Sequence, residues 1–401
     1  MTVYLDHAAS SPVRVEAHSA FLEALAVTGN PSSIHRDGQR AKQILEDARA
    51  VVAASLGCDP IEVVFTSGGT ESVNLGITGL YRARRAASPA RLRVIVPEGE
   101  HHATIDTVEW LEKHEDAVIE WIPLDSLGRI SMDAWRSALE RSPETIALAT
   151  CLWANNEVGT IQPVIELAAL AEAAGVPLHV DAVAMYGNYC FMYRAGSQLV
   201  AGNMGVAPGI TALSVAGHKI GSVPGIGALY VSRAASLEPL LHGGGQQRQL
   251  RSGTQNAPAA ASMAAAIQSA CSFNAVTMSN YELMRFDAQE RILATVDGVT
   301  VSGDQALRLP NNLHLVVDGA TSADMLYLLD EAGISVSAGS ACQAGVVRPS
   351  HVLLAMGYSE EQALSTLRIS FGHDTTDDEV DALIEALPGV IAKARAVSSR
   401  A

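Results

Sequence analysis

Apolar positions along this chain follow two alternating periods. Short apolar runs at 62–66, 92–96, 117–122, 145–150, 177–180, 210–215 and 225–231 read as strands. Between them, stretches at 39–56, 71–86, 104–113, 132–141 and 165–174 repeat their apolar residues at helical spacing, and another such stretch, 15–27, precedes the series. Strands alternating with helices predict an α/β fold on a mostly parallel, seven-stranded sheet covered on both faces. From 255 the pattern changes to an Ala-rich helix at 255–272, then strand 312–317, helix 323–331, strands 334–336 and 367–370, and a last helix at 377–396. There Thr376 and Glu379 fit a capping box, and Val380, Leu383, Ile384 and Leu387 share one face. The expected organisation is a large domain at 15–257 and a smaller α+β domain made of 1–14 and 258–401.

Ligands of such sheets bind at the carboxyl ends of the strands. At one end Ser67-Gly68-Gly69-Thr70-Glu71-Ser72 joins a strand to a helix; it is either a phosphate cradle of backbone N–H groups or an ordinary capped turn. At others stand Glu100-His101-His102, Asn155-Asn156-Glu157 and His179-Val180-Asp181, whose carboxylate ends an apolar run and calls for a cationic partner. The run Thr211–Ala216 ends in Gly217-His218-Lys219. Of the four lysines, Lys42, Lys113 and Lys393 sit in polar, solvated settings; desolvation at Lys219 lowers the amine's pKa and frees it to attack a carbonyl.

Composition narrows the classes. With 48% hydrophobic and 17% charged residues over 401 positions, the chain suits a globular enzyme. Its 43 acidic and 27 basic residues give a net charge of -16, which disfavours nucleic acid and anionic membranes. No basic, apolar leader precedes Tyr4-Leu5-Asp6-His7 and no run has bilayer length, so a cytoplasmic protein is expected. Cys58, Cys151, Cys190, Cys271 and Cys342 are odd in number, far apart and not in Cys-x-x-Cys pairs, which argues against both a disulfide framework and a zinc site; no metal is expected. Any special cysteine acts alone.

A phosphate cradle, a flat side chain able to stack, a carboxylate and a low-pKa lysine are the parts that hold pyridoxal phosphate. Together with Tyr4-Leu5-Asp6-His7-Ala8-Ala9, Gly29-Asn30-Pro31, His242-Gly243-Gly244-Gly245-Gln246, Arg251-Ser252-Gly253-Thr254 and Gly339-Ser340-Ala341-Cys342, these motifs resemble the cysteine desulfurases over essentially the whole chain. Those enzymes are the class V branch of fold-type I pyridoxal phosphate enzymes. The resemblance implies that Lys219 binds the cofactor aldehyde and moves the substrate's protons, that Asp181 holds the pyridine nitrogen and that His101 stacks on the ring and shares in catalysis. It places Gly69, Thr70 and His218 at the phosphate, with Thr254 reaching the phosphate of the neighbouring subunit of a homodimer. Asn155 contacts the cofactor and, with Arg368 and Asn30, the substrate carboxylate. Cys342 takes sulfur from L-cysteine as a persulfide, alanine leaves, and the sulfur passes to an acceptor protein of iron–sulfur cluster assembly or thiolation. The run after Cys342, through Pro349-Ser350-His351-Val352-Leu353, resembles the group with a longer catalytic loop.

Two departures adjoin the cofactor. Ala184 stands where the family has a glutamine bonded to the ring oxygen, and the segment between Asp181 and Lys219 is longer than the family's. Residues 186–209 are a surface loop, an added wall or partner contact, or an altered segment of a damaged or engineered copy. Other readings are a selenocysteine lyase or other carbon–sulfur lyase, which does not need Cys342, and a weakly active homologue kept as a binding partner.

Overall fold

The computed structural model describes residues 2–187, 192–195, 198–201, 206–272, 274–339 and 348–398. After the two-residue strand β1 (Val3–Tyr4), helices α1 (Val15–Leu25) and α2 (Arg36–Leu56) lead into the α/β region. There β2 (Val63–Thr66), α3 (Gly69–Ala87), β3 (Arg93–Pro97), α4 (His102–Glu115), β4 (Val118–Ile122), α5 (Met132–Glu140), β5 (Ile146–Leu152), α6 (Val164–Ala173) and β6 (Leu178–Asp181) alternate. A hairpin of β7 (Met192–Ala195) and β8 (Gln198–Ala201) follows, then β9 (Ile210–Ala216) and β10 (Gly227–Val231).

The large sheet has seven strands in the order β2-β10-β9-β6-β5-β3-β4. All neighbours run parallel except β10, which is antiparallel to β2 and β9. β2, β5 and β6 are buried along their whole length, as expected of strands covered on both faces. This is the predicted architecture.

Helices α7 (Ala257–Ser272) and α8 (Asn274–Thr295) cross to the second region. It contains β11 (Val299–Val301), β12 (Asn312–Val317), α9 (Ser322–Glu331), β13 (Ile334–Ser335), α10 (His351–Ala355), α11 (Glu360–Ala363), β14 (Thr366–Ser370) and α12 (Asp377–Ser398). Strands β11, β12 and β14 form a three-stranded antiparallel sheet. The chain start belongs here: β1 pairs with β13, and Leu5 is buried with Leu313, Ile369 and Phe371. The Thr376–Glu379 box opens α12, with Thr376 N–H donating to Glu379 Oε2 at 2.9 Å.

The expected boundary at 257 falls at the start of α7. Ala257, Ala260, Met263 and Ile267 of that helix join the core of the large region, because a face of small side chains lets α7 approach α1 and α2 closely. Among the described residues no helix is long and apolar enough to cross a membrane, and Cys58 and Cys151 are free thiols.

Candidate active site

Five strand ends of the large sheet, those of β2, β3, β5, β6 and β9, converge with the N-terminal segment and β14 on a cavity of about 610 Å³, within the size range of cofactor sites. β2 opens α3 through Ser67-Gly68-Gly69, and Gly68 at the N-cap supplies no side chain to cap the first N–H groups. Such an uncapped terminus favours an anion. A Cβ on Gly69 would come within 2.8 Å of Val183 Cγ2 and 3.3 Å of Ala216 Cβ, so the turn is pressed against the exits of β6 and β9. Glu71 braces it from outside, accepting from Ser67 N–H at 2.7 Å and from Arg251 Nε at 2.8 Å. Burial pushes the Glu71 carboxyl up, but the Arg251 and Ser67 hydrogen bonds outweigh it and hold the pKa below its ordinary value.

β3 delivers His101 as the N-cap of α4, where Nδ1 accepts from Ala103 N–H at 3.0 Å. The neutral ring therefore carries its proton on Nε2. Burial, reinforced by the Lys219 charge, lowers its pKa to about 4. The preceding Glu100 is buried, accepts from Leu152 N–H at 2.7 Å, and is pushed well above the usual carboxylate range by desolvation.

Asp181, the last residue of β6, lies between Leu152 of β5 and Ser214 of β9. Burial raises its pKa to about 6 against the Val183 hydrogen bond and the Lys219 charge. Lys219 follows β9 in a short 3-10 turn, and its Nζ donates to the carbonyl oxygens of Ala8 at 2.5 Å and Ala9 at 2.9 Å. Desolvation, then the nearby Arg368, lowers its pKa to about 8. His218 is half-buried, and burial followed by Lys219 takes it to about 4. From β14, Arg368 reaches in; Nη1 donates to Asn156 O and Nη2 to Asp6 Oδ1, both at 2.8 Å.

Lys219, Asp181, His101, Gly69, Thr70, His218 and Arg368 thus line one cavity, as does Ala184. Asn155 does not line it. Its Oδ1 accepts from the N–H groups of Glu157 and Val158 at 2.9 and 3.0 Å, and its Nδ2 donates to Gly99 O at 2.9 Å, so the side chain shapes the turn that presents Asn156. Asn30 and Thr254 are exposed and outside the cavity wall; Asn30 Oδ1 accepts from Ser32 N–H at 2.9 Å. Cys342 and Cys190 lie outside the described residues. Sequence reasoning gave no role to Ala8 and Ala9, which act through backbone carbonyls, or to Asp6, although all three stand in the motif Tyr4-Leu5-Asp6-His7-Ala8-Ala9.

A buried carboxylate with one backbone donor, a desolvated amine and an uncapped helix start suit a group with a cationic ring nitrogen, an aldehyde and a phosphate. The sequence profile of the aminotransferase class-V family matches residues 3–383. The chain belongs to that family. Pyridoxal phosphate is the cofactor of this class-V group, and Asp181, Lys219, His101 and the Gly69 turn line one cavity, where their chemistry would suit it. Among relatives, an IscS-like cysteine desulfurase of Mycobacterium tuberculosis is 44% identical over 397 residues, 98% of this chain and 97% of the relative. A solved NifS-like protein superposes with a TM-score of 0.85 at 28% identity, covering 98% of this chain and all of the other. The structure of SspA in complex with cysteine gives 0.76 at 29% identity, over 92% of this class-V chain and 99% of the other.

Proposed function

We infer that the chain is a cysteine desulfurase, converting L-cysteine to L-alanine and keeping the sulfur as a persulfide on Cys342. The observation that carries this reading is that one cavity wall holds Lys219, Asp181, His101 and Arg368 and also Ser337, Gly339 and His351, the residues flanking the Cys342 segment on both sides. Cysteine desulfurases as full-length relatives and a cysteine-bound structural neighbour support it.

When bound, the cofactor supplies an electron sink for charge developing at the substrate's α-carbon. Asp181, buried and accepting from a backbone N–H, would keep the ring nitrogen protonated by accepting its hydrogen bond. Lys219, with a pKa of about 8, has about a tenth of its amine neutral at pH 7, enough to take and return the α-proton. The Ala8 and Ala9 carbonyls hold that amine in place when it is protonated. Arg368 presents a planar fork to the substrate carboxylate, kept from turning by Asp6 and Asn156. Neutral His101, with its Nε2 proton, lines the same cavity, where it would stack on the bound ring and could donate to the substrate side. The Cys342 thiolate then attacks the substrate sulfur; the C–S bond breaks, a proton returns to carbon, and alanine leaves.

Homodimerisation is part of this reading. Val15, Leu22 and Leu25 of α1 and the nearby Ile34 are 78%, 50%, 58% and 94% exposed, an apolar surface that a second copy would cover. Exposed Thr254 would then complete the partner's phosphate site. The final sulfur acceptor is a protein of cluster assembly or thiolation. Mass analysis after cysteine treatment tests the proposal: a one-sulfur increase on the Cys342 peptide supports it, and alanine formed with that peptide unchanged refutes it.

A further inference from the structure

A second set of groups lies beside the cysteine site. His7, at the N-terminal end, meets His373 and Asp374, which follow β14; His7 Nε2 is 3.6 Å and His373 Nδ1 3.9 Å from Asp374 Oδ1. One donor atom from each of the three residues lies within 4.8 Å of the others. Such a mixture of imidazole and carboxylate suits zinc-class ions. With metal–ligand bonds of about 2.0–2.1 Å, neighbouring donors of a tetrahedral site stand roughly 3.3 Å apart. The two short separations here need to contract by only a few tenths of an ångström.

The ring of His7 is fixed for this task. It is buried, and its Nδ1 edge lies so close to Gly372 that a Cβ there would come within 1.8 Å of that nitrogen. Nε2 is therefore the edge turned toward Asp374 and toward Thr375 Oγ1, at 3.3 Å. Thr375 Oγ1 also accepts from Gly372 N–H at 2.9 Å and keeps that bond if its own proton is displaced. A chamber of about 30 Å³ adjoins the cluster, lined by His7, His373 and Lys219 among others. It has room for a water as a further ligand. Asp6, Glu16 and Glu379 direct negative charge at the two histidines, against Arg14. Asp374 is half-exposed and opens the cluster to solvent.

We propose that His7, His373 and Asp374 form a site for a divalent zinc-class ion in the chamber shared with Lys219. His7 immediately precedes Ala8 and Ala9, whose carbonyls hold the Lys219 amine, so an ion on His7 stiffens the segment that restrains the catalytic lysine.

Calorimetric titration of the full-length holoenzyme with zinc chloride, without cysteine, tests the site. The expected result is one zinc per chain, bound roughly tenfold or more weakly after His373→Ala and after Asp374→Asn. Neither residue is in the core, so both variants should fold. X-ray absorption of the zinc-loaded protein should show nitrogen and oxygen neighbours only. Unchanged affinity in both variants, sulfur in the zinc shell, or no binding by the wild type would each overturn the proposal.

Discussion

Arg368 Nη2 lies 2.8 Å from Asp6 Oδ1, joining β14 to the N-terminal segment across 362 positions of sequence. The pair sets the direction of the only fork that this cavity offers to a carboxylate among the described residues. Removing Asp6 leaves a buried guanidinium without its carboxylate, a change that costs about 3 kcal/mol in buried pairs. Urea unfolding of Asp6→Asn should show a loss of that order. Arg368→Lys keeps the charge and loses the fork, so KM for cysteine should rise about tenfold or more, with the cofactor's absorption retained.

The pH dependence of the cofactor-free protein follows from two desolvated charges. Asp181 has its pKa raised to about 6, so its ionisation costs stability as pH rises from the unfolded value through 6. Lys219 has its pKa lowered to about 8, so its protonation costs stability below 8, and the loss is recovered as pH rises toward the unfolded value. Both penalties are fully present between about pH 6 and 8. Cofactor-free protein should show a stability minimum there, and Asp181→Asn or Lys219→Met should each stabilise it by about 3 kcal/mol at pH 7. Thermal melts across pH 5–10, with and without pyridoxal phosphate, check this; a flat profile contradicts it.

The Gly69 turn gives a prediction with a built-in control. Gly69→Ala brings a methyl within 2.8 Å of Val183 Cγ2 and should open the turn, weakening pyridoxal phosphate binding by about tenfold. Val183→Ala in the same chain removes the clash and should restore most of the affinity. A fluorescence titration of cofactor into the stripped protein reads both.

Ala184 lines both the cofactor cavity and the smaller chamber beside Lys219. Ala184→Gln should move the visible band and tighten cofactor binding by about 1 kcal/mol, the worth of one added hydrogen bond. An unshifted spectrum would mean that position 184 does not reach the ring.

The sheet was legible because its strands are buried on both faces and read as unbroken apolar runs, with the chemistry at their carboxyl ends. Lys219, Asp181, His101 and Gly69 were found that way. What escaped depends on backbone or on packing across distant sequence. Ala8 and Ala9 contribute carbonyls, which no side-chain pattern signals. Asn155 and Asn156 are adjacent in one turn, and only the fold decides which faces the cavity. The alanines of α7 have no strong amphipathic stripe, so their place in the larger core comes from close approach to α1 and α2. The hairpin of β7 and β8 lies within the stretch left open between a loop, an added wall and a damaged segment. Its root is anchored by Tyr186, whose hydroxyl lies 2.7 Å from Ser55 Oγ of α2.

The most direct test of the central claim is a visible absorption spectrum of the purified protein, recorded before and after L-cysteine with alanine and released or bound sulfur measured in the same tube. A cysteine desulfurase built on Lys219 and Cys342 should show a band that changes on cysteine addition, equal yields of alanine and sulfur, and loss of both products in Cys342→Ser with the spectral change retained. A protein that stays colourless with added pyridoxal phosphate, or one that forms alanine and sulfur unchanged after Cys342→Ser, would contradict that assignment.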